Sequence, residues 1–195
     1  MKDHKGHTAL FFGSFDPIHM GHLIIAEYFI NLDEISELWF VLSPCNPFKQ
    51  DQLLTPESIR KELLDEAIKG EERFRVCDVE FTMEAPHYTC KTIQVLKEQY
   101  PQKSFVLLIG GDNLSDFDKW KNHHEILETL PVYVYPRRGF RNSAFDHYPN
   151  LHKTKAPIVE ISSTQIKKNL AEGLSARFLL PPGVYELIRE KRLYV

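Results

Sequence analysis

Short apolar runs alternate with longer amphipathic stretches along the whole chain, and that alternation most limits the folds open to it. Residues 8–12, 37–42, 74–79, 104–109, 132–135 and 157–161 read as strands, brief and rich in apolar side chains. Residues 21–31, 56–69, 88–100, a segment reaching Ile126, 163–172 and 184–192 carry apolar residues at helical spacing. Leu23, Ala26, Phe29 and Ile30 mark the first of these helices. Thr55 is placed to cap the second, with Pro56 at its first helical position. Strand and helix in turn predict an α/β fold, a Rossmann-like parallel sheet with helices on both faces. A chain of 195 residues fits one domain spanning 1–195. The polar stretch 141–155 reads as a loop.

Composition narrows the function. The net charge of -3, from 27 acidic and 24 basic residues, argues against a nucleic-acid binder, which carries a basic surplus. Cys45, Cys77 and Cys90 form no CxxC pair, so they read as packing thiols in a reducing compartment. The first residues lack the apolar core of a secretion signal, and no apolar stretch approaches the roughly 20 residues of a membrane helix. The expectation is a cytoplasmic protein with no nucleic-acid or membrane partner. Assembly into a homo-oligomer is left open.

In a parallel sheet, ligands bind beyond the carboxyl ends of the strands, so the residues just after strands carry most information. After the first strand comes GSFDPIHMGH, residues 13–22. A turn suited by Asp16 and Pro17 leads into a helix that starts near His19. His19 and His22 stand three apart and project to one side of that helix start, where free N–H groups already attract an anion. Two imidazoles there add donors able to take positive charge near neutral pH. Gly13 and Gly21 let backbone approach a phosphate. Alone, such a four-letter pattern marks an ordinary pair of surface histidines; the strand before it and the helix after it favour phosphate binding.

A second candidate lies at ISSTQIKKNL, residues 161–170. Ser162, Ser163 and Thr164 fall between a predicted strand and a predicted helix, where hydroxyls and free N–H groups again suit a phosphate. Lys167 stands one turn on and adds charge. A plain helix cap with a solvated lysine is the alternative.

GSFDPIHMGH resembles the HxGH signature of the nucleotidyltransferase superfamily, and ISSTQIK resembles its ISSTxIR element with Lys167 in place of arginine. The rest of the chain is similar to nicotinate-nucleotide adenylyltransferases from about Ala9 to Tyr194. SPCNPFK, HYT, IGGDNL, Trp120, YPRRGF and the closing LPPGVYELIREKRLY carry that similarity, with His87 where the family has serine and Arg138 where it has proline. The resemblance implies catalytic roles for His19, His22 and Lys167. It implies ATP contacts at Gly13, Ser14, Phe15, His19, Gly21 and His22, then at Gly110, Asp112, Arg137, Ser162, Ser163 and Thr164. Acceptor contacts follow at Asn46, Lys49, Tyr88, Thr89 and Trp120.

The chemistry agrees with those assignments. Lys49 suits a phosphate, Trp120 a flat pyridine ring, Thr89 a carboxylate, and Asp112 a ribose hydroxyl or a water on Mg²⁺; the alternatives are a solvated Lys49, Trp120 in the core, Thr89 as a helix cap and Asp112 as a turn former. The expected reaction is adenylyl transfer from ATP to nicotinate mononucleotide, a step of NAD biosynthesis, with Mg²⁺ carried in on ATP and no dedicated metal site. Nicotinamide mononucleotide or phosphopantetheine as acceptor, and an ATP sensor without turnover, remain as alternatives.

Overall fold

The computed structural model describes residues 6–44, 54–140 and 143–195. Six parallel strands lie in the order β3-β2-β1-β4-β5-β6. They are β1 (His7–Gly13), β2 (Ile35–Leu42), β3 (Phe74–Cys77), β4 (Phe105–Gly110), β5 (Val132–Tyr135) and β6 (Leu151–Lys153). Helices α1 (Met20–Ile30), α2 (Glu57–Ala67), α3 (Thr89–Gln99), α4 (Gly111–Ser115), α5 (His123–Thr129), α6 (Ser163–Ala171) and α7 (Pro182–Glu190) connect and flank them. The chain winds outward from β1 to β3, returns to the centre at β4 and winds the other way. β1 and β4 are therefore the two strands between which direction reverses, the place where α/β sheets hold ligands.

The two-residue pleat sorts the central strands into two cores. Ala9, Phe11, Leu38, Phe40, Leu42, Val106 and Leu108 face one core, packed with Ala26 and Phe29 of α1, Leu63 and Leu64 of α2, Ile166 of α6 and Val184 of α7. Leu10, Trp39, Val41, Leu107 and Ile109 face the other, with Ile93 and Leu96 of α3 and Ile126 of α5. Burial on both sheet faces explains why the central strands read as continuous apolar runs.

Three expectations need correction. No strand forms at 157–161; the edge position beside β5 is taken by Leu151–Lys153, inside the stretch read as a loop. Residues 157–161 instead cross the sheet end as irregular chain, begun by a proline with no N–H and leaving Ile158 exposed. The cap of α2 is Pro56 (φ -47°, ψ 140°) and not Thr55, because an extended proline holds the chain outside the helix by one more residue. The third strand stops at Cys77, and Val79–Thr82 turns as a short 3-10 helix. Cys77 and Cys90 are free thiols. Cys45, Asn46 and Lys49 lie outside the described residues. No helix among the described residues is long and apolar enough to cross a membrane.

Candidate active site

Beyond Gly13, the chain turns sharply to bring two histidines over the end of β1. Phe15 sits at φ 43°, a conformation costly for a bulky side chain. That turn sends its ring back into the core, 2 % exposed, against Phe11 and edge-on to His22 at 5.0 Å. A Cβ on Gly13 would meet this ring at 2.9 Å, so glycine is what lets the phenyl pack there. Phe15 thus supports His22 from below.

His19 caps α1 in extended backbone. The His19 and His22 rings stack with centroids 3.7 Å apart and planes 18° apart. The backbone N–H of His19 donates to Nδ1 of His22 at 3.3 Å, which puts the His22 proton on Nε2. Nδ1 of His19 is buried without a partner. A Cβ on Gly21 would reach the His19 ring at 3.0 Å and Val159 at 3.2 Å, so Gly21 keeps room for both.

Arg137, just after β5, completes this cluster. It donates to the Val159 carbonyl at 3.0 Å, pairs with Asp112 at 3.6 Å and lies over the Tyr135 ring at 5.2 Å. Asp112 in turn needs Gly110, where a Cβ would fall 2.2 Å from its carboxylate.

The two imidazoles, read from the sequence as able to take positive charge near neutral pH, sit in the free protein where their surroundings oppose it. Burial, with Arg137 beside it, holds the His19 pKa down at about 4. Burial, then the charges of His19 and Arg137, puts His22 well below its ordinary value. Both are neutral donors until an anion arrives to offset Arg137. The sign of the linkage follows. An unfolded histidine binds a proton near 6.5 whereas folded His19 waits until about 4, so the penalty is absent above 6.5 and grows as pH falls. From His19 alone it reaches about 3 kcal/mol. We expect the unliganded protein to lose about 5–10 °C of melting temperature between pH 7 and 4.5, with His19→Gln flattening the decline. Level melting across that range in the parent protein would refute the account.

The Ser162–Lys167 element meets the β1 turn. Ser162 caps α6 and accepts from the Gln165 N–H at 3.2 Å. The Ser163 hydroxyl donates to the Pro17 carbonyl at 3.0 Å, tying α6 to the β1 turn. Thr164 is exposed. Lys167 is paired with Asp16 at 2.9 Å. Asp16 is 2 % exposed and also accepts from the Tyr194 hydroxyl at 2.7 Å and the Thr55 N–H at 3.3 Å. Burial alone would raise its pKa; the bonds from Thr55, Lys167 and Tyr194 outweigh that and hold it below the usual range.

On the other side of the β1 end lies a cavity of about 130 Å³ lined by Phe12, Gly13, Ser14, Ser43, Glu80, His87, Tyr88, Thr89, Asn113, Trp120 and Lys121. A void of about 150 Å³ accepts one benzene ring, so this one suits a single flat ring against Trp120. The sequence placed Tyr88, Thr89 and Trp120 here, and the structure brings the three together.

Sequence reading missed four residues. Asp16 looked like a turn former, Tyr194 like part of a closing segment, and Glu80 went unremarked. Arg60 is fully buried, donating to the carbonyls of Thr55 (2.9 Å), Ser14 and Ser43 (2.8 Å each) and Pro44 (3.1 Å). It holds together the ends of β1 and β2. One signal was available: Arg60 falls on the stripe of α2 that also carries Leu63 and Leu64, where an arginine needs partners.

The cytidylyltransferase-like family model matches residues 10–169. A probable nicotinate-nucleotide adenylyltransferase of Cytophaga hutchinsonii is 43% identical over 185 residues, 95% of this chain and 96% of its own. Another, of Bacteroides fragilis, is 44% identical over 184 residues, 94% and 92% of the two chains. Among solved structures, Plasmodium falciparum nicotinic acid mononucleotide adenylyltransferase complexed with NaAD superposes with a TM-score of 0.82 at 22% identity, covering 97% of each chain. At that identity the superposition establishes the shared fold.

Proposed function

Because this chain belongs to the nicotinate-nucleotide adenylyltransferases of the cytidylyltransferase-like family, we propose that its site carries out their reaction through the residues just described. The adenylyl group of ATP passes to the phosphate of nicotinate mononucleotide, giving nicotinate adenine dinucleotide and pyrophosphate, a step of NAD biosynthesis. The observation that carries the assignment of roles is the placement of the cavity and the histidine pair. A one-ring cavity with Trp120 on its wall opens on one side of the β1 end, and the stacked His19–His22 pair stands on the other.

In this mechanism an acceptor phosphate, already ionised, attacks the α-phosphorus in line, so no general base is needed. Catalysis rests on positioning and on donors that meet the charge shifting toward the leaving pyrophosphate. His22 presents Nε2–H, His19 lies against it, and Arg137 supplies a fixed cation. The triphosphate's charge offsets Arg137 and draws the imidazoles toward their protonated forms. Gly13, Ser14 and the Phe15 backbone form the floor, and Gly21 clears the approach. Ser162, Ser163 and Thr164 present the start of α6 from the opposite side, with Lys167 sharing its charge between Asp16 and the phosphates.

Mg²⁺ is proposed to arrive with ATP. No cluster of three or more His, Cys, Asp or Glu among the described residues could hold it. Triphosphate oxygens fit a cation that keeps several waters, and the mostly exposed Asp112, paired with Arg137, is the carboxylate that would take one of those waters. Bound there, Mg²⁺ would withdraw charge from the leaving group. Asn46 and Lys49 keep their proposed role at the acceptor phosphate.

Pyrophosphate release with ATP and Mg²⁺ tests the reading, with nicotinate mononucleotide, nicotinamide mononucleotide and phosphopantetheine offered in parallel. Turnover is expected to be at least about tenfold faster with the nicotinate form, the preference that one lost charged hydrogen bond produces. Preference for another acceptor would replace the substrate. Binding of ATP without release from any of the three would replace the enzyme with a sensor.

A further inference from the structure

The segment after α7 bends twice through the left-handed region, at Arg192 (φ 52°) and Tyr194 (φ 63°). Residues with side chains hold such conformations only where their surroundings fix them. Here the Leu193 N–H donates to the Ile188 carbonyl at 3.0 Å, and the Leu193 and Tyr194 side chains pack against the core shared by α1, α2, α6 and α7. The bends deliver the Tyr194 hydroxyl to Oδ1 of Asp16, 2.7 Å away in the β1 turn.

That contact divides the Asp16 carboxylate between its partners. Tyr194 takes Oδ1, while Lys167 at 2.9 Å and the Thr55 N–H at 3.3 Å share Oδ2. Asp16 is buried, so little water competes for either oxygen. An ammonium carries three N–H donors. Lys167 spends one of them on Oδ2 and keeps 30 % of its side chain exposed, so it can hold Asp16 and meet an anion together. With Oδ1 open, the ammonium would bridge both oxygens, and the low dielectric around a buried carboxylate would strengthen that grip. Resting on the reading above that Lys167 meets the phosphates of ATP, we propose that Tyr194 is a positioning residue for ATP. By occupying Oδ1 it limits the hold of Asp16 on Lys167 to one oxygen and leaves the ammonium free to turn to the triphosphate. Tyr194 acts through Asp16 and Lys167, and no covalent bond changes.

Tyr194→Phe tests this, since it keeps the packing ring and removes the hydroxyl. Calorimetric titration with ATP and Mg²⁺ should give an affinity about 3–10-fold weaker than the parent's, the size of one charged contact partly lost. Titration with nicotinate mononucleotide should stay within about twofold. In a Lys167→Met background the tyrosine change should add nothing, the single and double variants binding ATP within about 1.5-fold of each other. A tyrosine that only holds the fold together would weaken both ligands, and would weaken ATP by the same factor in either background. Either of those results overturns the proposal, as does an ATP affinity in Tyr194→Phe within about 1.5-fold of the parent's. Lys167→Met binding ATP as tightly as the parent would remove Lys167 from the phosphates and the role of Tyr194 with it. If Lys167→Met does not fold, the split between the two ligands in Tyr194→Phe decides alone. Absence of pyrophosphate release from the parent would mark failure of the transfer reading, and the titrations, which need no turnover, still score Tyr194.

Discussion

Replacing His22 with alanine should lower kcat by about 10²–10³-fold, with the KM for nicotinate mononucleotide within about threefold of the parent value. The size follows from losing one preorganised donor in a site where little water competes. The split follows from position. His22 lies against Phe11, Phe15 and His19 at the end of β1 and does not line the cavity assigned to the acceptor. The tautomer sharpens the expectation, since the bond from the His19 N–H leaves Nε2–H as the only donor His22 can offer while neutral. Single-turnover pyrophosphate release at saturating ATP measures it. A kcat within about fivefold of the parent would remove His22 from the chemistry.

Arg60→Leu should destabilise the fold by about 3–5 kcal/mol, which at this chain size lowers the melting temperature by roughly 10 °C or more. The guanidinium donates to four carbonyls from three separate segments, and leucine leaves those acceptors without these donors. Activity should fall more steeply with temperature than melting alone accounts for, because Ser14 and Ser43 both line the one-ring cavity. Thermal melting of the unliganded protein decides it; a variant that melts within about 2 °C of the parent would show that the carbonyls find other donors.

The parts legible in the sequence were those whose meaning is local. An apolar run of strand length between helices needs only its own residues to be read, and so does an HxGH pattern at a helix start. The edge strand β6 was missed because LHK is short and polar at one end, while PIVEI further on imitates a strand by composition. What the sequence could not show was pairing at long range. Asp16 differs from any other Asp-Pro turn through Thr55, Lys167 and Tyr194, which nothing near it announces. The depressed pKa values of the histidines were hidden for the same reason, since they come from burial and from Arg137, more than a hundred positions away. Glu80 lies in a segment that looks like connection and becomes part of the site only when Thr92, Ser43 and the cavity surround it.

The hook from Tyr194 to Asp16 also sets an order of assembly during synthesis. The two residues are 178 positions apart, and Lys167 follows Asp16 by 151. At about 5–20 residues per second, the ribosome makes Asp16 roughly 10–35 s before Tyr194. Through that interval β1, α1 and β2 can pack on one another, but the turn between them holds a carboxylate whose two closing donors do not yet exist. On a nascent chain the turn that leads into the histidine pair is thus among the last features to close, however early its own residues were made.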